Sequence, residues 1–263
     1  MKHPASCAGC FMNLVVDLSN YQKIALPDGW GCGICQHIAR VPSPRAPYYT
    51  VYTDEACAVS EIVYYRLCKK LGLKCVKSDF GTNLVDSKQY VSVSEFSPLW
   101  KQHGNLSDPS LLIEQVHVFY GLMLLTGANF WHDEQEGYLV DNTFIKANNG
   151  VNFFSIGLGR LIRRSKQDAG VVRAHRPSVT NFLSETKSMH KSARDICQKV
   201  SELTNEDFQE MLEMPEDWDS KLIAKEYLSN ELQEMRKYAS SCFSALCDMK
   251  KAKKSKGGNS TLA

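Results

Sequence analysis

One change of hydrophobic period divides this chain and constrains its fold more than any other feature. Up to about residue 98, short alternating runs such as "YYTVY" and "KQYVSVSEF" are interrupted by a single helical pattern, "TDEACAVSEIVYYRLCKKLGLKC". That helix has readable edges. Thr53 or Asp54 caps its start; Val59, Ile62, Val63 and Leu67 form its apolar stripe; Gly72 ends it behind Lys69 and Lys70. Beyond residue 98 the pattern turns helical. "SDPSLLIEQVHVFYGLMLLTG" opens with a cap residue and Pro109, then becomes apolar nearly all round, as a central buried helix must. "LTNEDFQEML" sets Thr204 three residues before Asp207, close to a capping box. From Trp218 onward Leu222, Leu228, Leu232, Met235, Ala239, Phe243 and Leu246 share one helical face. A small β-rich part with one long helix, followed by a mostly helical part, predicts two lobes of unequal composition.

With 263 residues, 43% of them hydrophobic and 23% charged, the chain can bury a large core, and wholesale disorder is excluded. A net charge of +2 gives the whole molecule no reason to seek a polyanion. The longest apolar stretch, "VFYGLMLLTG", is too short for a membrane span, and "MKHPASCAGC" lacks the apolar core of a secretory signal. A cytoplasmic location without membrane attachment is expected. The tail "KKAKKSKGGNSTLA", residues 250–263, reads as basic and disordered, with nucleic acid as the alternative contact.

Four of the ten cysteines come in CxxC pairs: Cys7 with Cys10, and Cys32 with Cys35. Between them "FMNLVVDLSNYQKIALPDGWG" reads as strand, Ser-Asn turn, strand. A hairpin between two knuckles presents four thiolates to one structural Zn²⁺, so residues 1–44 are expected to form a zinc ribbon. The alternative is two chance pairs of reduced thiols. Redox chemistry fits less well, because neither pair opens a helix after a strand. The other six cysteines are scattered singly, as buried free thiols are.

The remaining chemistry is concentrated in "HDEQEGYLVDNTFIKANNGVNFFSIG", residues 132–157. A His-Asp pair leads through a polar loop to an Asp-Asn step. Two short strands are expected around Asn148-Asn149-Gly150, then a small-residue turn. The bland reading has His132 and Asp133 capping the central helix and Asn148 to Gly150 making an ordinary hairpin turn. Arg160, Arg163 and Arg164 then read as a solvated basic strand edge, with a phosphate or an acidic partner as the alternative.

This layout resembles the protein-kinase-like fold, and within it the HipA-like kinases of bacteria and their phages. The resemblance spans roughly residues 45–240 and rests on local phrases. "SEIVYYRLCKKLGLKC" is similar to the family's N-lobe helix, "QYVSVSEF" to its strand into the hinge, and "VHVFYGLMLLTGANFWHD" to the helix before the catalytic loop. "LTNEDFQEMLEMPEDWDSKLIAKEYLSNELQEMRK" is similar to its closing helices. The resemblance implies an α+β, two-lobed fold behind the ribbon: an N-lobe over 45–98, a helical C-lobe over 99–249 and the tail over 250–263. It implies ATP and Mg²⁺ as cofactors and a protein or small-molecule hydroxyl as acceptor.

Kinase chemistry needs a strand lysine on the phosphates, a helix acid to steady it, an Asp at the acceptor hydroxyl, and an Asn and an Asp on magnesium. By resemblance Glu61 is the helix acid, Asp133 the catalytic Asp and Asn142 the metal-binding Asn, with Asp141 a further ligand. Eight residues separate Asp133 from Asn142 here, where the kinase pattern has four. In "FFSIGLGR", Ser155 holds the place of the metal-binding Asp, and a hydroxyl carries no anionic charge. "APYYTVYT" offers no lysine. Arg45 is the nearest upstream cation, and Lys23 is a candidate only if its hairpin belongs to the nucleotide roof. Gly29, Gly31 and Gly33 cluster, but Cys32 and Cys35 give that cluster a metal-knuckle explanation. Three functions stay open: a phosphotransferase, a pseudokinase-like module that binds a protein partner, and a zinc-ribbon protein contacting nucleic acid or a transcription complex.

Overall fold

The structure is a computed structural model. It describes residues 15–25, 36–40, 48–52, 54–82, 91–96, 101–102, 113–127, 137–140, 143–147, 150, 152–165, 176, 178–185 and 190–257.

One six-stranded sheet organises the N-terminal half. Its strands are β1 (Val16–Asp17), β2 (Gln22–Ala25), β3 (Gln36–Arg40), β4 (Tyr48–Tyr52), β5 (Ser78–Thr82) and β6 (Val91–Phe96), in the order β1-β5-β6-β4-β3-β2. The aromatic and β-branched run of β4 suits a central strand. It pairs antiparallel with β3, Val51 opposite His37, and with β6, Val51 opposite Val93.

The pairing corrects the ribbon hairpin. β1 does not pair with β2; it pairs parallel with β5, Val16 opposite Gly81, while β2 pairs antiparallel with β3, Ala25 opposite His37. A Ser-Asn turn does follow Leu18, whose carbonyl accepts from Tyr21 N–H at 2.9 Å. The chain there crosses the sheet instead of folding back on it. Leu18 and Tyr21 pack on Val51 and Tyr49 of β4, whose apolar side chains give the crossing segment a surface to bury against. Strands β1 to β3, assigned by sequence to a separate segment over 1–44, thus hydrogen-bond into the sheet of β4 to β6.

The helix α1 (Glu55–Leu71) lies on this sheet with the expected boundaries. Asp54 accepts from Cys57 N–H at 2.9 Å, and Gly72 at φ 72° closes the helix. Gly72 N–H donates to Lys69 O and Leu73 N–H to Cys68 O, the paired bonds of a left-handed C-cap that glycine adopts without a Cβ penalty.

A second sheet has the order β7-β8-β9, from β7 (Lys101–Gln102), β8 (Gly137–Val140) and β9 (Thr143–Lys146). The helices are α2 (Ile113–Thr126), α3 (Phe153–Ser165), α4 (Val179–Glu185), α5 (His190–Ser201), α6 (Asn205–Met211) and α7 (Lys221–Gly257). A continuous core runs from Ile62, Val63 and Leu67 of α1 through Leu122 of α2 and Ile196 of α5 to Leu228, Leu232 and Met235 of α7. Arg66 locks α1 to the end of α6, donating to Met211 O at 2.9 Å and Glu213 O at 2.5 Å with its guanidinium over Phe80. Burial pulls its pKa down from the ordinary value. Lys199 donates to Leu71 O at 2.8 Å, holding the C-terminus of α1.

Three further expectations are corrected. Leu222 is 75% exposed, because the buried face of α7 starts only at Ala224. Helix α7 continues to Gly257, so residues 250–257 of the segment expected as a disordered tail are helical, in keeping with the good helix propensity of Lys and Ala. Arg160, Arg163 and Arg164 lie on α3, not on a strand edge.

Candidate functional site

The buried charges of the α1 face define the candidate site. Glu61 is fully buried on α1, and Ser78 of β5 donates its hydroxyl to Glu61 Oε1 at 3.3 Å. Seven residues on, Cys68 lies on the same helical face. Its thiol is pushed up by burial first and by a hydrogen bond with Cys75 second, with Lys146 acting in the opposite sense and Glu61 in the same one. Glu61 and Lys146 therefore both lie within electrostatic reach of one buried thiol.

Lys146 was not legible as a site residue. It ends β9, is 1% exposed, and donates from Nζ to Ala147 O at 2.8 Å. Its backbone bridges to the loop after α1: Val76 N–H donates to Lys146 O at 2.7 Å, and Lys146 N–H to Lys74 O at 3.1 Å. The signal was available in the alternation of "TFIK", where Phe144 faces inward and Lys146 must follow it.

The region after β9 departs from expectation. Paired strands were expected around Asn148-Asn149-Gly150, yet the pair that forms is β8 with β9, Val140 opposite Thr143, so Asp141 and Asn142 stand between its strands in sequence. Gly150 instead backs onto β4, where a Cβ would lie 2.7 Å from Tyr52 Cζ. "FFSIGLGR" is not a turn but the start of α3. Asn152 and Ser155, both buried, cap it reciprocally: Asn152 N–H donates to Ser155 Oγ at 3.0 Å, and Ser155 N–H to Asn152 Oδ1 at 3.2 Å. Ser155 Oγ also donates to Asn152 O at 2.9 Å. Such an exchange satisfies N-terminal donors that an α-helix leaves orphaned.

Of the residues assigned to kinase chemistry by the resemblance, Glu61 and Ser155 are placed. Asp133, Asp141, Asn142 and Arg45 lie outside the described residues, as do Cys7, Cys10, Cys32 and Cys35. Lys23 sits on β2 opposite Ala39, so its hairpin is part of the main sheet, with Gly29, Gly31 and Gly33 in the β2–β3 connection. Among the described residues no group of His, Cys, Asp and Glu is placed to hold a metal ion. No described helix is long and apolar enough to cross a membrane.

No protein-family model matches this chain, and no curated protein matches its sequence. Among solved structures it is similar to a Helicobacter pylori proinflammatory kinase, CtkA, with a TM-score of 0.57 and 12% sequence identity, over 89% of this chain and 98% of that one. At that identity the likeness carries the fold alone, and the fold is kinase-like.

Proposed function

We propose that this chain is a HipA-like, kinase-fold protein that binds a magnesium nucleotide, transfers phosphate poorly or not at all, and acts through a protein partner. The observation that carries this reading is the cap of α3. The place of the second metal-binding carboxylate holds Ser155, whose hydroxyl is engaged with Asn152 in a buried helix cap and brings no negative charge. The strand before α1 points the same way. Counted from the β2–β3 hairpin, β4 is the third strand, the one that carries the phosphate lysine in protein kinases, and its sequence YYTVY has none. Positioning and charge neutralisation are most of what a protein supplies to phosphoryl transfer, so both deficits fall on the rate.

Other features support binding. Lys23 lies on β2 of the main sheet, which supports it as a phosphate contact, and the glycines in the β2–β3 connection suit a loop that covers phosphates. Glu61, buried on α1, is the candidate for the helix acid, Asp133 and Asn142 with Asp141 remain the candidates around the metal, and Arg45 is a further candidate for the phosphates. Lys146, within electrostatic reach of Cys68 as Glu61 is, adds positive charge on the α1 side.

Thermal unfolding with and without Mg-ATP, alongside radiolabelled phosphate transfer, tests this reading. Nucleotide is expected to raise Tm by mass action on the folded state, with transfer at background. Rapid autophosphorylation abolished by Asp133→Ala overturns it. Structural zinc at Cys7, Cys10, Cys32 and Cys35 is a separate proposal resting on the two CxxC pairs. Metal analysis of protein purified without chelator is expected to give about one Zn²⁺ per chain, and a ratio near zero removes it.

A further inference from the structure

The distal half of α7 and the first half of α5 enclose a groove that the nucleotide reading does not use. It consists of two adjoining cavities of about 400 Å³ and 440 Å³, which share Arg194 and Lys250 in their linings. Its floor is apolar: Leu246 is buried, and Met249 and Phe243 are half-buried along one edge of α7. Its rim is cationic. Lys191 on α5 and Lys250 and Lys251 on α7 are exposed, and Arg194 is partly so. Two acids moderate the rim: Asp195 lies 3.3 Å from Arg194, and Asp248 lies 3.6 Å from Lys251. The balance stays positive, and the sequence adds Lys253, Lys254 and Lys256 on the same helix.

Cations near a helix C-terminus are ordinary complements of the helix dipole, and alone they imply no ligand. The groove beneath them is the additional feature. A surface reading nucleic acid presents a polar, cationic face to phosphates, whereas this floor is hydrocarbon. A surface lying on a membrane presents a protruding apolar face, and this one is concave. An apolar trough between cationic rims is complementary to a chain segment that alternates apolar anchors with carboxylates. From Phe243 to Lys251 the lined stretch of α7 is about 12 Å long, two helical turns, so it accommodates one or two anchors.

We infer that the α5–α7 groove docks a short acidic, amphipathic segment of a partner protein, its apolar side chains on Leu246 and Met249 and its carboxylates on Lys191, Arg194 and Lys250. The inference stands apart from the nucleotide reading, because the groove lies on different elements from Glu61 and Ser155.

Fluorescence anisotropy on the full chain tests it, using a labelled helical peptide with leucines flanked by glutamates. The controls are a peptide of the same composition in scrambled order, a single-stranded oligonucleotide, and vesicles of phosphatidylcholine with phosphatidylserine. Saturable binding of the ordered peptide is expected, weakened by salt and about tenfold or more by Lys191→Glu with Lys250→Glu. Met249→Asn is expected to weaken it by a similar factor without changing the circular dichroism spectrum. Equal binding of the scrambled peptide, tighter binding of the oligonucleotide or vesicles, or affinity unaffected by both variants overturns the inference. So does concentration-dependent self-association in sedimentation that the Lys191→Glu, Lys250→Glu variant abolishes, which would assign the groove to the acidic α6–α7 turn of a second copy.

Discussion

Replacing Gly157 by alanine separates a packing role from a metal-loop role. Gly157 lies in α3 where that helix crosses α7, and a Cβ there would stand 1.7 Å from Tyr227 Oη and 2.5 Å from its Cζ. Both distances are far inside van der Waals contact, and Cζ belongs to a rigid ring that is 7% exposed. Forcing a methyl group into such a site costs about 1–3 kcal/mol. Alanine recovers up to about 1 kcal/mol through its better helix propensity. Because the ring cannot bend away, the net expectation is a loss of about 1–2 kcal/mol. At about 2–4 °C per kcal/mol for a chain of this size, Tm should fall by roughly 2–8 °C. Urea unfolding followed by circular dichroism reads the change, and the partner variant sharpens it. Tyr227 Oη is buried with no hydrogen-bond partner among the described residues, and burial, followed by the charge of Glu231, pushes its pKa up. Tyr227→Phe alone should therefore cost little. Combined with Gly157→Ala it removes the 1.7 Å clash and leaves the 2.5 Å one, so partial rescue is expected, with a coupling of about 0.5–3 kcal/mol. Stability of Gly157→Ala at or above wild type, or strict additivity in the double variant, refutes the reasoning. A glycine serving a metal turn would instead leave stability alone and change only the response to Mg-nucleotide.

Arg66→Met removes the donor for Met211 O and Glu213 O and should cost about 2–4 kcal/mol in urea unfolding; Arg66→Lys should recover little, since one ammonium cannot reproduce a fork that also stacks on Phe80. Lys70 contacts Asp207 at 2.8 Å and Glu210 at 2.6 Å. The bond to Lys70 holds the Asp207 carboxyl below the usual range, so its contribution is present above the unfolded carboxylate pKa near ~3.9 and is lost as pH falls through the folded value. The bond to Asp207 raises the Lys70 pKa, so that contribution is complete below ~10.4 and is lost as pH rises through the folded value. The stability gap between wild type and Asp207→Asn should accordingly be flat from about pH 5 to 9 and narrow outside that window in urea titrations; a gap that widens in acid contradicts the assignment.

Local rules made some of this fold readable. The boundaries of α1 follow from one carboxylate cap and one left-handed glycine, and the α6 capping box forms between Thr204 and Asp207 as the sequence indicates. Pairing between strands was less readable, because alternation says which face a residue takes and not which strand lies beside it. The β1 segment illustrates this. A hairpin with β2 and a parallel pairing with β5 expose the same side chains, and the choice is made by where Leu18 and Tyr21 can bury, against Val51 and Tyr49. The site suffered in the same way. The burial of Lys146 depends on the bridge to Lys74 and Val76, which sets β9 against the interior. Ser155 looked like a loop residue because small residues and glycines signal turns. Gly157 is there instead to let α3 approach Tyr227.

The β2–β3 hairpin brings the nucleotide and zinc proposals onto one loop. Gly29, Gly31 and Gly33 alternate with Trp30 and Cys32 in the same connection that carries Cys35. A zinc ion held by both pairs would fix the glycine loop to the segment before β1, and a fixed loop closes over a ligand only if it is fixed in the closed position. Metal content and nucleotide-induced stabilisation therefore carry information about each other. A zinc-loaded chain that still gains stability from Mg-ATP has its loop held ready over the phosphates. A zinc-loaded chain indifferent to nucleotide has exchanged the roof of a kinase for a rigid knuckle, and its kinase-like shape then serves as a scaffold for surfaces such as the α5–α7 groove.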